Sequence, residues 1–316
     1  MQRAAHLLAS KVRPRRSTMY VPGSNSKALA KVRTSLACDS FILDLEDAIA
    51  STSKSQAREG IAQFLSTQPT FRDLAQREIM VRINALDTPW GLADLSMVSA
   101  SPSVDTVAIP KVETASDVWR VERHLEEMSR HHDRDHSYSQ DPTPLGIACM
   151  IETPLGVLNA AEIAAASTNV VCLILGTSDL TNDLRAQHTP DRAPMLTSLS
   201  LCILAARAHH IAVLDGVHLN LSNAQEFNQQ CQQGRALGFD GKTLIHPKQI
   251  ATSNATFGPD TAEIEQARIV VESFETAEAN GEGVCLVDGQ LIENLHADGA
   301  RRVLEFAKQV SVVEGS

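Results

Sequence analysis

The chain has 316 residues, 43% hydrophobic content and a formal net charge of −10. That length carries one large core, ordinary for a single barrel with additions, and the negative charge excludes a nucleic-acid partner, which needs a positive footprint. No apolar run approaches the ~20 residues needed to cross a bilayer, so the sequence reads as soluble, with no membrane partner. The six cysteines form no CxxC pair and several fall inside apolar patterns, as reduced core residues of an intracellular protein do.

Residues 1–14 carry Arg3, Lys11 and Arg13 and no acid. They read as a basic leader, either a short mitochondrial presequence or a plain one, which leaves cytoplasm and mitochondrion both open. Eight short apolar runs follow, at 17–21, 40–45, 79–84, 105–110, 145–152, 170–175, 211–215 and 241–245. Helical segments alternate with them, among them 24–35, opened by Ser24 or Asn25, and 223–238, opened by Asn223 and closed by Gly238. This alternation predicts an α/β fold, a (β/α)8 TIM barrel over 15–257. Arg130 to Pro144 reads as a surface loop, its His131, His132 and His136 solvated rather than metal-binding. Residues 258–316 read as a C-terminal helical lid or arm onto a neighbouring subunit: a helix over 261–280, a hairpin centred on Asp288-Gly289, and a last helix near 295–310.

Barrel enzymes keep their chemistry at the carboxyl ends of the strands. There the sequence offers Glu46 and Asp47, Arg82 and Asn84, Lys111, Glu152, Asp179, Asp215 and His246. Glu152 and Asp179, each just past a buried run, suit a hard divalent cation such as Mg2+; the competing reading makes either acid a helix cap or a solvated loop residue. Arg82 sits inside an apolar strand and needs a partner. Its planar fork suits a carboxylate or a developing enolate oxygen, and the alternative is a structural salt bridge to Glu46 or Asp47. Lys111 suits an internal ion pair, and Asp44, Glu46 and Asp47 suit orienting the arginine or metal waters; with Lys111 and Asp215 the last two make a second layer around the metal.

Seven blocks carry a family resemblance: RRSTMYVPGSNSKALAKV, FILDLEDAIA, VRIN, IPKVE, MIETPLGVLNA, LGTSDL and ALGFDGKTLIHPKQI, in this order. They resemble the HpcH/HpaI aldolase and citrate lyase β-subunit superfamily, and more narrowly the malyl-CoA and citramalyl-CoA lyases and citrate-lyase-β-like proteins. The resemblance implies a (β/α)8 barrel and Mg2+-dependent aldol or retro-aldol chemistry on CoA thioesters, with Mn2+ as substitute. It implies Glu152 and Asp179 as metal ligands, Arg82 as the substrate-binding arginine, and Tyr20, Lys27 and Lys31 as CoA and substrate contacts. It also implies a homotrimer or hexamer, in which a C-terminal aspartate reaches a neighbour's site as the acid-base group. Here that position is Glu293, a departure that adds one methylene.

The expected function is cleavage or formation of a malyl-CoA- or citramalyl-CoA-type 3-hydroxyacyl-CoA thioester, with acetyl-CoA and a 2-keto acid as the other partners. Alternatives are a malyl-CoA-type thioesterase, a citrate lyase β-like subunit, a metal-dependent aldolase working without CoA, and a non-catalytic barrel scaffold.

Overall fold

A computed structural model describes residues 13–34, 37–66, 77–132 and 145–314. Most of the basic leader, and residues 133–144 with His136, lie outside these residues, while 130–132, expected in a surface loop, end a helix instead. Eight parallel strands close in sequence order: β1 (Ser17–Pro22), β2 (Ser40–Asp44), β3 (Glu78–Arg82), β4 (Thr106–Ile109), β5 (Gly146–Ile151), β6 (Val170–Leu175), β7 (Ala212–Asp215) and β8 (Gly241–Leu244). Helices α1 (Ser26–Thr34), α2 (Lys54–Ser66), α3 (Gly91–Ser99) and α4 (Ala115–His132) follow the first four strands. Short α5 (Pro154–Leu158) and α6 (Ala160–Ala165) follow β5, α7 (Thr177–Asp183) and α8 (Leu196–Ala208) follow β6, and α9 (Ala224–Leu237) and α10 (Ile250–Phe257) complete the ring. Each predicted run is a strand to within a residue or two. No helix among the described residues is long and apolar enough to cross a membrane.

Alternation along the strands divides the apolar residues into two layers. Ile42, Met80, Ala108, Ala148, Met150, Cys172, Ile174 and Leu214 fill the barrel interior, with Tyr20 packed on them. Their neighbours in sequence face the helices and form the larger outer core, from Met19 and Leu43 to Val213 and Leu244. The amino-terminal face is closed by polar groups. Glu78 accepts from Arg15 Nε at 2.5 Å and from the Thr106 hydroxyl at 2.7 Å. Arg15 passes so close to Gly241 that a Cβ there would lie 1.8 Å from the Arg15 carbonyl oxygen.

The chain then leaves the barrel through α11 (Thr261–Ala279), opened by a capping box between Asp260 and Glu263. A hairpin of β9 (Cys285–Val287) and β10 (Gln290–Ile292) turns at Asp288 and Gly289, both at positive φ, as a two-residue hairpin turn requires. α12 (Asn294–Glu314) returns antiparallel to α11 over a separate small core around Val270, Phe274, Ile292 and Ala297. Both ends of this extension meet Arg16 at the amino-terminal face. A Cβ on Gly258 would lie 3.3 Å from the Arg16 guanidinium, and Glu314 pairs with that guanidinium at 2.9 Å while Asp39 takes its fork.

Candidate active site

At the carboxyl end of β5 the chain turns because Thr153 caps α5, its hydroxyl accepting the Gly156 N–H at 3.1 Å. Glu152, one residue earlier, is therefore not the cap. Its side chain is 1% exposed, and Oε1 accepts the backbone N–H of Lys111, just past β4, at 2.7 Å. On its other side lies Gly176, just past β6, where a Cβ would stand 2.3 Å from Oε2. Asp179 sits half-buried in the first turn of α7, close enough for its charge to act on Glu152. Burial pushes Glu152 up to about 7 against the pull of the Lys111 N–H and Arg82, with Glu46 and Asp179 adding repulsion.

These donors are all oxygen. Among the described residues no group of three or more His, Cys, Asp or Glu side chains is placed to form a metal cage. Two carboxylates with the remaining positions left to water and ligand oxygens is the donor set that fits Mg2+, and the raised carboxyl of Glu152, held by the Lys111 N–H, is what a cation would relieve.

Arg82 closes β3 beside them. Its Nε and Nη2 each donate to Asp44 at 2.7 Å, and Nη1 pairs with Glu46 at 2.8 Å and Asp47 at 3.3 Å. The guanidinium carbon lies 5.0 Å from the centre of the Tyr20 ring. Asp44, Glu46 and Asp47 thus all orient the arginine. Its bidentate edge is occupied by Asp44, so the expected fork for a substrate carboxylate is replaced by a fixed concentration of positive charge. Burial pushes Glu46 up to about 7 despite Arg82.

Tyr20 faces the barrel interior under Arg82, and burial raises its phenol. Lys27 and Lys31 are exposed, one turn apart on α1, which Asn25 caps by accepting the Ala28 N–H. The Pro22-Gly23 turn before them is tight, since a Cβ on Gly23 would lie 2.8 Å from Ile61 and 3.1 Å from the Asp44 carbonyl oxygen.

Asp215 is not brought to this cluster. It alternates with the interior residue Leu214 and so points outward, where it binds Arg192 at 2.7 Å and Lys242 at 2.8 Å and abuts Gly234 of α9. Its carboxyl is held down by Lys242 and Arg192 in spite of full burial. This is an ion-paired support between strands and helices rather than a second layer around a metal. Asn84 donates to Leu45 and Asp94, and His246 accepts the Lys248 N–H as a helix cap, so both serve the loops.

Sequence reasoning passed over Lys54. Buried at the start of α2, its ammonium donates to the carbonyls of Leu45 and Glu46 at 3.0 and 2.7 Å and lies 5.6 Å from the Trp90 ring centre, fixing the loop that carries Glu46 and Asp47. Lys242 was passed over too, though a lysine inside a buried strand gives the same signal as Arg82. Glu293 is exposed at the start of α12, its backbone N–H donating to His296 Nδ1 at 3.1 Å. The extension is anchored at the face opposite the acids, and no described contact joins Glu293 to Glu152, Asp179 or Arg82.

Residues 16–247 match the family described as HpcH/HpaI aldolase/citrate lyase. A (3S)-malyl-CoA thioesterase of Cereibacter sphaeroides is 40% identical over 98% of this chain and 100% of its own length. The citrate lyase subunit beta of Escherichia coli is 34% identical over 98% and 99%. The crystal structure of CitE from Mycobacterium tuberculosis in complex with magnesium, acetoacetate and coenzyme A is 27% identical, with a TM-score of 0.70 over 92% of this chain and 97% of that one. The chain belongs to the HpcH/HpaI aldolase/citrate lyase family.

Proposed function

We propose that this protein is a Mg2+-dependent carbon–carbon lyase that cleaves a malyl-CoA- or citramalyl-CoA-type 3-hydroxyacyl-CoA thioester to acetyl-CoA and a 2-keto acid. The observation that carries the reading is the buried Glu152 carboxylate, fixed from two sides beside Asp179 at the barrel mouth. It is supported by the likeness to CitE, which holds magnesium with a keto acid and coenzyme A. Glu152 and Asp179 hold the cation, which when bound supplies Lewis-acid polarisation and a template for hydroxy-acid oxygens.

Arg82, immobilised by Asp44, stabilises negative charge developing on the substrate. Exposed Lys27 and Lys31 take the phosphates of CoA, while Tyr20 acts through Arg82, whose guanidinium it underlies. Glu293 of a neighbouring subunit in a homotrimer or hexamer gives a proton to the nascent methyl carbon of acetyl-CoA in cleavage, while the substrate hydroxyl proton passes to solvent as the keto acid's carbonyl forms; condensation reverses both transfers.

A second reading, hydrolysis of the same thioester to the hydroxy acid and CoA, is favoured by the full-length likeness to a malyl-CoA thioesterase. Incubation with (3S)-malyl-CoA and Mg2+, with products separated by mass, tests both. Glyoxylate and acetyl-CoA are expected; malate and free CoA select the second reading, and unchanged substrate across malyl, citramalyl, methylmalyl and citryl thioesters overturns both.

A further inference from the structure

Lys111 stands in two relations to the mouth acids at once. Its backbone, at a φ of 51° that lysine rarely adopts, aims the N–H at Glu152 Oε1, 2.7 Å away. Its ammonium is half-exposed and makes a single ion pair among the described residues, to Glu46 Oε1 at 3.6 Å, loose beside the 2.8 Å pair that Arg82 makes with the same carboxyl. The charges of Asp47, Glu152 and Asp179 act on it as well. Asp44 engages the fork of Arg82 and Lys54 is pinned to the Leu45 and Glu46 carbonyls, so the remaining four acids face two pinned cations and one flexible ammonium. A lysine head on a four-carbon stem moves; the forked arginine does not.

We propose that the Lys111 ammonium is an exchangeable counter-ion: it balances the mouth acids before a divalent cation loads, and afterwards pairs with the carboxylate of the acyl substrate. The inference rests on the metal reading above. It gives Lys111 two roles, its backbone positioning Glu152 and its side chain binding anionic acyl groups. Like charges at the mouth oppose each other, so the ammonium weakens cation binding until it turns away, and a substrate carboxylate gives it a partner when it does.

The test separates the roles. Lys111→Asn keeps the N–H donor, since asparagine tolerates the left-handed backbone, and removes the charge; Lys111→Gly does the same with full backbone freedom, and Lys111→Arg keeps the charge. Calorimetry with Mn2+ alone, then with glyoxylate at saturating Mn2+, reads both equilibria without turnover. The Asn and Gly variants should bind Mn2+ about three- to tenfold tighter and glyoxylate at least about fivefold weaker, with Arg near wild type in both. Unchanged or weaker Mn2+ binding in the neutral variants overturns the counter-ion role, and unchanged glyoxylate binding overturns the carboxylate role. Wild-type protein that binds no Mn2+ overturns the metal reading itself, and the inference with it.

Discussion

Gly176 leaves the space in which the Glu152 carboxylate sits: a Cβ on residue 176 would lie 2.3 Å from Oε2 and 2.4 Å from the Glu152 Cβ. Two successive strand ends are thereby matched, an acid after β5 and a glycine after β6. Gly176→Ala should displace the carboxylate and weaken Mn2+ binding by at least ~10-fold, the scale of losing an orienting neighbour of a metal ligand. Titration calorimetry checks this, and wild-type affinity in a folded Gly176→Ala protein would show that the close approach does not govern the ligand.

The proposed metal site also sets a pH dependence. Burial lifts Glu152 from its ordinary 4.5 to about 7, and Glu46 likewise to about 7, so the folded state favours their protonated forms. A raised carboxyl contributes stability that is complete below the unfolded value and lost as pH climbs from about 4.5 towards 7, because the native state there binds more protons than the unfolded one. Metal-free protein should therefore melt at a lower temperature at pH 7.5 than at pH 5 through these groups. Mg2+ should raise the melting temperature more at pH 7.5 than at pH 5, releasing protons as it binds. A Mg2+ effect that is flat across this range would contradict the assignment of Glu152.

Asp215 gives a contrasting expectation. Asp215→Asn leaves Lys242 and Arg192 buried beside a neutral partner, which costs roughly 3–5 kcal/mol of stability. Mn2+ affinity of the folded fraction should stay within about twofold of wild type. Denaturant unfolding and calorimetry together check this, and a large loss of metal binding without loss of stability would return Asp215 to the mouth.

The contrast between Asp215 and Glu152 shows how far the sequence is legible. Doubly buried parallel strands such as VVCLIL announce themselves as apolar runs, so all eight strands and the hairpin at Asp288-Gly289 were readable. Position past a strand end was readable too, and it located Glu152 and Asp179. Which face a strand-end residue takes was not, because that follows from alternation counted against interior residues such as Leu214. Arg82 was readable as a charge needing partners, and Asp44, Glu46 and Asp47 as acids suited to orient it, whereas the division of the fork to Asp44 depends on the register that sets β2 beside β3. Lys54 lies in a polar stretch and its ammonium hydrogen-bonds backbone carbonyls beside the Trp90 ring, so no sequence pattern marks it.

The extension provides a test of assembly. Both its ends are fixed at Arg16, on the face opposite the acids, and no described contact joins Glu293 to the acids of its own barrel. If Glu293 acts in a neighbour's site, inactive Glu293→Gln and inactive Asp179→Asn chains, co-expressed, should form mixed oligomers that regain measurable turnover. Verified mixed oligomers that stay inactive, with both parents folded, would remove Glu293 from the trans acid-base role.

The central claim is that Glu152 and Asp179 together hold the divalent cation this enzyme uses. Isothermal titration of Mn2+ into wild type, Glu152→Ala and Asp179→Ala measures it most directly, with circular dichroism confirming the barrel in each. The account predicts one site per wild-type chain and no measurable binding in either variant, since each loses a ligand and not core packing. Wild-type Mn2+ affinity in either folded variant would contradict it.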